Sequence, residues 1–144
     1  MKTAYSLVVL TLSSLLGFAA EYRCCLPWEV LVVNEQNQPL ANCSVVQEWG
    51  YNFGSNATNF TDQAATDQAG RVRLPERGVA YPISLSEKLA KHLTVRPGLG
   101  PTASIFVWKS GYQGQFVRLQ PDARVTYTTN GLFSRVVLRS ETLK

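Results

Sequence analysis

One ten-residue stretch, Thr66-Asp67-Gln68-Ala69-Gly70-Arg71-Val72-Arg73-Leu74-Pro75, constrains the fold more than any other part of this sequence. Asp67 can hydrogen-bond its own backbone, and Gly70 can take the positive φ that closes a tight turn. From Arg71 onward the apolar Val72 and Leu74 alternate with Arg71 and Arg73, the period of a half-buried strand. A turn feeding a short alternating strand belongs to an antiparallel β-fold, and the rest of the chain repeats that grammar.

Taken in order, Glu29–Asn34 reads as a first strand rich in β-branched residues, followed by a polar turn that ends at Pro39. Cys43–Trp49 is a second strand. Gly50 to Thr61 reads as a loop of aromatic and small polar residues, with a short strand near Thr58–Thr61. After Arg71–Leu74 comes the least β-like segment, Gly78 to Thr102. There Leu85, Leu89 and Leu93 recur at helical spacing behind a capping serine, which predicts one short helix in a long crossover. Ala103–Trp108 is strongly apolar, with Trp108 expected in the core. Gln115–Leu119, a short edge strand at Arg124–Thr128, and Ser134–Arg139 after the Asn130-Gly131 hairpin signal complete the set. About seven short strands separated by turn chemistry predict an all-β, antiparallel β-sandwich, in which two sheets pack over one core.

Length sets the scale: 144 residues make one domain. Lys2, an apolar run from Ser6 to Leu16 and small residues at Gly17–Ala20 have the form of a cleavable signal peptide, with cleavage expected after Ala19. The expected organisation is therefore a signal peptide at 1–19, an N-terminal segment at 20–28, a sandwich at 29–140 and a tail at 141–144. An exported chain, secreted or periplasmic, follows from that reading, with no transmembrane span left after cleavage. Without Lys2 the chain carries 13 basic against 10 acidic residues, scattered rather than clustered. Such a distribution lacks the basic stripe of a nucleic-acid-binding protein. Cys24, Cys25 and Cys43 suit an oxidising compartment, and Cys43 is expected to bridge to Cys24 or Cys25, leaving one thiol over.

The order of these pieces resembles a known family. Val30–Asn34, then Gln38-Pro39-Leu40-Ala41, then Val45-Val46 is similar to the first hairpin of carboxypeptidase regulatory-like domains, also described as transthyretin-like or prealbumin-like sandwiches. Thr66–Pro75 looks like that family's turn and central strand, carried by Asp67 and Gly70. Ile105–Tyr112 resembles its later strand, which ends in a turn carrying Gly111 and Tyr112. The long segment between Gly78 and Thr102 departs from the family pattern. The resemblance implies a module without catalytic residues, attached elsewhere to enzymes, receptors or surface proteins, and serving folding support or interaction.

Chemistry-bearing constellations are few. His92 is the only histidine, and no nucleophile-elbow motif accompanies it. Asp62, Asp67, Glu76 and Glu87 are the carboxylates that a hydrolase would draw on, but Asp67 is explained by its turn and Glu76 by a loop. Neither a paired cysteine motif nor a calcium loop is present, so no metal and no cofactor is expected. Trp49, Tyr51, Phe53 and Phe60 crowd one region with Asn52, Asn56 and Asn59 between them. These aromatics are the candidate contact surface for a protein or glycan partner, against the alternative that Trp49 and Phe53 fill the end of the sandwich. Asn42, Asn56 and Asn59 each match the N-glycosylation acceptor pattern. The resulting expectation is a secreted, non-catalytic β-sandwich with an interaction or structural role. A small carbohydrate- or ligand-binding protein is its first rival and a minor hydrolase its second.

Overall fold

The computed structural model describes residues 19–53, 56–82, 100–119 and 124–141. These residues form ten strands: β1 Ala19–Cys25, β2 Trp28–Asn34, β3 Ser44–Phe53, β4 Asn56–Ala65, β5 Arg71–Leu74, β6 Arg77–Pro82, β7 Gly100–Trp108, β8 Gln115–Arg118, β9 Val125–Thr128 and β10 Gly131–Leu138. No helix occurs among them. The helix expected near residues 85–93, and His92 and Glu87 with it, lie outside the described residues, as does most of the expected signal peptide.

Two four-stranded sheets face each other, in the orders β5-β2-β10-β9 and β4-β3-β7-β8, and β1 and β6 form a separate two-stranded ribbon. The sheets meet through the alternate residues of their central strands. Trp28, Val30 and Val32 of β2 and Val136 and Leu138 of β10 come from one side; Val45 of β3, Ile105 and Val107 of β7 and Val117 of β8 come from the other. Period-two alternation puts these side chains on one face of each strand, and burying them together removes both apolar faces from water. Trp28 is fully buried, and its indole N–H donates to Ser134 Oγ at 3.0 Å, so the largest core side chain keeps its polar atom satisfied.

The turn that opened the sequence reading closes as its residues dictate. Asp67 Oδ1 accepts from the amides of Ala69 and Arg71 at 2.9 and 2.8 Å, and the Gly70 amide donates to the Asp67 carbonyl. Gly70 has φ 70°, and a Cβ there would meet the Val32 carbonyl oxygen at 2.5 Å. The later turn is also formed: Gly111 has φ 82° and the Tyr112 amide donates to the Lys109 carbonyl at 3.0 Å.

Five expectations are corrected. The sandwich is not wholly antiparallel, because β10 pairs with β2 in parallel from Leu132↔Trp28 to Leu138↔Asn34. β5 is an edge strand rather than a central one, since it pairs with β2 alone. The Gly50–Thr61 loop is instead most of a long hairpin, in which β3 and β4 pair over ten residues from Ser44↔Ala65 to Phe53↔Asn56. Trp108 is 45% exposed, because Ile105 and Val107 take the inward positions of β7 and the alternation turns Phe106 and Trp108 outward. The segment before residue 29 is also part of the fold: β1 pairs with β6 from Ala19↔Pro82 onward, with a register shift between Arg23 and Cys25.

Gly70→Ala should cost about 2–4 kcal/mol of unfolding free energy, combining positive-φ strain with displacement of the Val32 carbonyl. Urea denaturation measures it, and a loss under 1 kcal/mol would show that the turn relaxes freely.

Candidate functional site

The outer face of the β4-β3-β7-β8 sheet holds a hollow of about 610 Å³. Register places its floor. Glu48 of β3 lies opposite Ser104 of β7, and Ser104 lies opposite Arg118 of β8. The carboxylate and the guanidinium thus stand on one cross-strand row with a serine between them, two strand spacings or about 10 Å apart at the backbone. Among the described residues Glu48 has no ion-pair partner, while the Arg118 guanidinium lies 5.5 Å from the centroid of the Phe116 ring. Phe116, 44% exposed, walls one side. Thr102, Asn52 and Asn59 line the other end, where Gly50 leaves room for the Asn59 side chain; a Cβ at Gly50 would lie 2.5 Å from Asn59 Oδ1. Thr102 Oγ1 and the Cys24 thiol both reach the Gly50 carbonyl, at 3.4 and 3.2 Å. Burial pushes the Cys24 thiol up, so it is protonated at neutral pH.

This groove can present a negative acceptor, a positive donor, two amides and one aromatic face to a small molecule. Its volume is within the range of small-molecule sites.

The aromatics singled out in the sequence do not gather into such a surface. Tyr51 is 1% exposed and packs its ring 4.5 Å from that of Tyr22. Trp49 is half-buried, with the Phe60 ring stacked at 5.8 Å and the Arg77 guanidinium 4.2 Å over its face. Phe60 keeps 45% exposure, and the Phe53 side chain lies outside the described residues. Around Trp49 runs a polar chain: Arg77 Nε donates to Gln47 Oε1 at 3.0 Å, Gln47 Nε2 donates to Cys25 Sγ at 3.2 Å, and Arg77 also pairs with Asp62. Gln47 is fully buried, and both ends of its amide are satisfied. Asp62 is thus a structural partner of Arg77, Asp67 a turn residue, and Glu76 an exposed partner of Arg23 at 2.5 Å.

The three thiols are free and buried. Cys43 Sγ lies 3.3 Å from the Leu40 carbonyl, just before β3 begins, whereas Cys25 meets Gln47 four residues further along. The expected bridge is therefore not formed.

Sequence reasoning passed over Glu48, Ser104, Arg118 and Phe116. Their signal was the outward half of each strand's alternation, Phe116 and Arg118 around Val117 above all. Which strands lie side by side was not available to it.

The described chain is thus an all-β sandwich protein with an open polar groove on one outer face. Its fold is similar to catechol 1,2-dioxygenase from Acinetobacter radioresistens, at 17% identity and a TM-score of 0.50 over 83% of this chain and 53% of that one. Catechol 1,2-dioxygenase from Pseudomonas arvilla C-1 is similar at 14% identity and a TM-score of 0.49, over 84% and 54%. So is 3-chlorocatechol 1,2-dioxygenase from Rhodococcus opacus 1CP, at 15% and 0.46, over 84% and 62%. This chain spans between about half and three fifths of those proteins' length. No protein-family model and no curated protein matches the sequence. At these identities the likeness is one of fold. It nevertheless corrects the expectation of a non-catalytic module: the Acinetobacter radioresistens protein of similar fold is an enzyme, so the fold supplies no ground for setting catalysis aside.

Dioxygen chemistry is carried by a metal or organic cofactor. Among the described residues no three His, Cys, Asp or Glu side chains gather to hold a metal ion. The chain's one histidine is His92, outside those residues. The donor set of the described residues does not fit such a centre.

The Arg77 guanidinium, by its hydrogen bond, holds the Asp62 carboxyl below the usual carboxylate range. A depressed carboxyl contributes stability above its unfolded pKa of about 3.9 and loses it as pH falls through the lower folded value. Asp62→Asn should flatten the acid limb of the stability curve below about pH 4, read by urea denaturation across pH; an unchanged acid limb would show the pair to be inert. Burial raises all three thiols above their ordinary range. Native protein should therefore resist alkylation at neutral pH and take up three equivalents after unfolding; one equivalent would reveal a disulfide.

Proposed function

We propose that the groove over Glu48, Ser104 and Arg118 is a substrate site for a small hydroxylated ring bearing an acidic substituent, and that the sandwich is an enzyme scaffold for such molecules. The observation that carries this reading is the row of Glu48, Ser104 and Arg118, which keeps a carboxylate and a guanidinium apart on one floor beside an exposed aromatic ring. Arg118 would hold the substrate's anionic group by charge-assisted hydrogen bonds. The Phe116 face would carry the ring, and Glu48 would accept a hydrogen bond or proton from a ring hydroxyl. Catechols, named for the dioxygenases of similar fold, belong to the same class of flat hydroxylated rings.

Two readings from the sequence accompany this proposal. Kinship with carboxypeptidase regulatory-like domains is supported by the Asp67–Gly70 and Lys109–Tyr112 turns. Export is supported by the apolar leader, and N-terminal sequencing of protein from the extracellular or periplasmic fraction checks it.

Calorimetry with 3,4-dihydroxybenzoate, catechol and glucuronate tests the site. The dihydroxybenzoate should bind tightest. Arg118→Gln should weaken it about tenfold and leave catechol nearly unchanged, whereas Phe116→Ala should weaken both aromatic ligands. Glu48→Gln should weaken the dihydroxybenzoate and catechol alike, since each presents a ring hydroxyl to that carboxylate. Equal binding of glucuronate, or indifference to the groove variants, would overturn the assignment.

A further inference from the structure

The opposite outer face, that of the β5-β2-β10-β9 sheet, carries a second and smaller hollow of about 220 Å³. It is separate from the groove in place and in chemistry. Arg73 of β5, Glu29 of β2 and Phe133 of β10 lie on one cross-strand row. Arg71 and Arg135 flank Leu31 on the next row of the same face. Three guanidinium groups therefore share this face with one carboxylate. Glu29 pairs with Arg71, its diagonal neighbour, rather than with Arg73 directly opposite. Arg135 donates to the neutral amide of Asn37, which leaves its charge uncompensated. Among the described residues Arg73 has neither ion pair nor hydrogen-bond partner. Arg73 lines the hollow together with the Glu29–Arg71 pair, and the β9–β10 hairpin brings Asn130 and Thr128 to it, the Thr128 hydroxyl donating to the Gly131 carbonyl at 3.1 Å.

Neutralising Arg71 with Glu29 leaves Arg73 as the net positive charge lining the hollow, beside the Asn130 amide, with Arg135 adding to the positive potential from elsewhere on the same face. A space of 220 Å³ is small for a whole drug-sized molecule, for which sites start near 300 Å³, yet ample for one tetrahedral oxyanion. We infer that this hollow is a binding site for a sulfate or phosphate group, held by Arg73 with the Asn130 side-chain amide contributing. The group is either a free inorganic ion or an ester on a larger molecule such as a sulfated glycan. Arginine is suited to this work because its planar fork donates two parallel hydrogen bonds to one oxyanion.

The test is an amide-resolved NMR titration of the full chain at matched ionic strength. The probes are sodium sulfate, sodium phosphate, a sulfated disaccharide, its desulfated counterpart and sodium chloride. Sulfate-bearing probes should move the amides of Arg73, Thr128 and Asn130, and chloride and the desulfated sugar should not. A disaccharide binding more tightly than the inorganic ions would identify an ester as the ligand, and equal affinities would identify the free ion; either supports the site. Arg73→Gln should weaken binding about tenfold, and Arg73→Lys should retain part of it. Arg73 has no partner to lose, so thermal unfolding of both variants should match the wild type. Equal shifts with chloride, shifts confined to the Arg118 groove, or unchanged affinity in a folded Arg73→Gln would each overturn the assignment.

Discussion

Everything in this sandwich hangs on a backbone junction at Val32. Its amide donates to the Gly70 carbonyl at 2.8 Å, and its carbonyl accepts from the Leu40 amide at 3.0 Å, while its side chain is fully buried. One residue of the central strand therefore ties together the turn after β2, the turn before β5 and the core. The approach is so close that only a residue without Cβ fits at position 70. With that junction set, Thr66 can seal the layer beneath it: its hydroxyl donates to the Leu40 carbonyl at 2.7 Å and accepts from the Cys43 amide at 2.9 Å. β3 begins directly after Cys43 in the second sheet. The local chemistry of Asp67 and Gly70 thus sets the turn that lays β5 against β2.

Much of this was legible in the chain, and what was not has a common cause. Val72 and Leu74 against Arg71 and Arg73 announced β5 to the residue, because period-two alternation is local. The Asp67 turn was legible for the same reason. The parallel contact of β10 with β2 was invisible, since it joins segments about a hundred residues apart and leaves no mark on either. Trp108 misled because Ala103–Trp108 is apolar on both faces, and a continuous apolar run does not say which face is inward. β1 and β6 escaped notice because Glu21-Tyr22-Arg23 and Arg77-Gly78 dilute the β-branched signal, and their pairing with each other supplies what composition lacks.

The interior polar chain shows a second limit. Gln47 occupies an inward position between Val45 and Trp49, where the pattern calls for an apolar side chain. It is tolerated because Arg77 and Cys25 satisfy both ends of its amide. A buried polar group without such partners would cost roughly 1–3 kcal/mol. The ribbon of β1 and β6, which delivers both partners, is therefore bound to the main sheets by hydrogen bonding as well as by packing. Trp49, read from the sequence as a candidate contact residue, is the apolar floor of that chain, lying beneath Arg77.

The two outer faces differ in a way that follows from strand order alone. On the β3-β7-β8 face the charged residues belong to separate strands, Glu48 on β3 and Arg118 on β8, with Ser104 on β7 keeping them apart. On the β5-β2-β10 face Glu29 stands between two arginines of β5 and one of β10, so one pair forms and a positive excess remains. Neither arrangement is written in any one segment, since each needs strands distant in sequence to lie side by side. A sandwich whose core demands only alternation on the inner face leaves the outer positions free to vary. This chain has used that freedom to place unlike charges apart on one side and like charges together on the other.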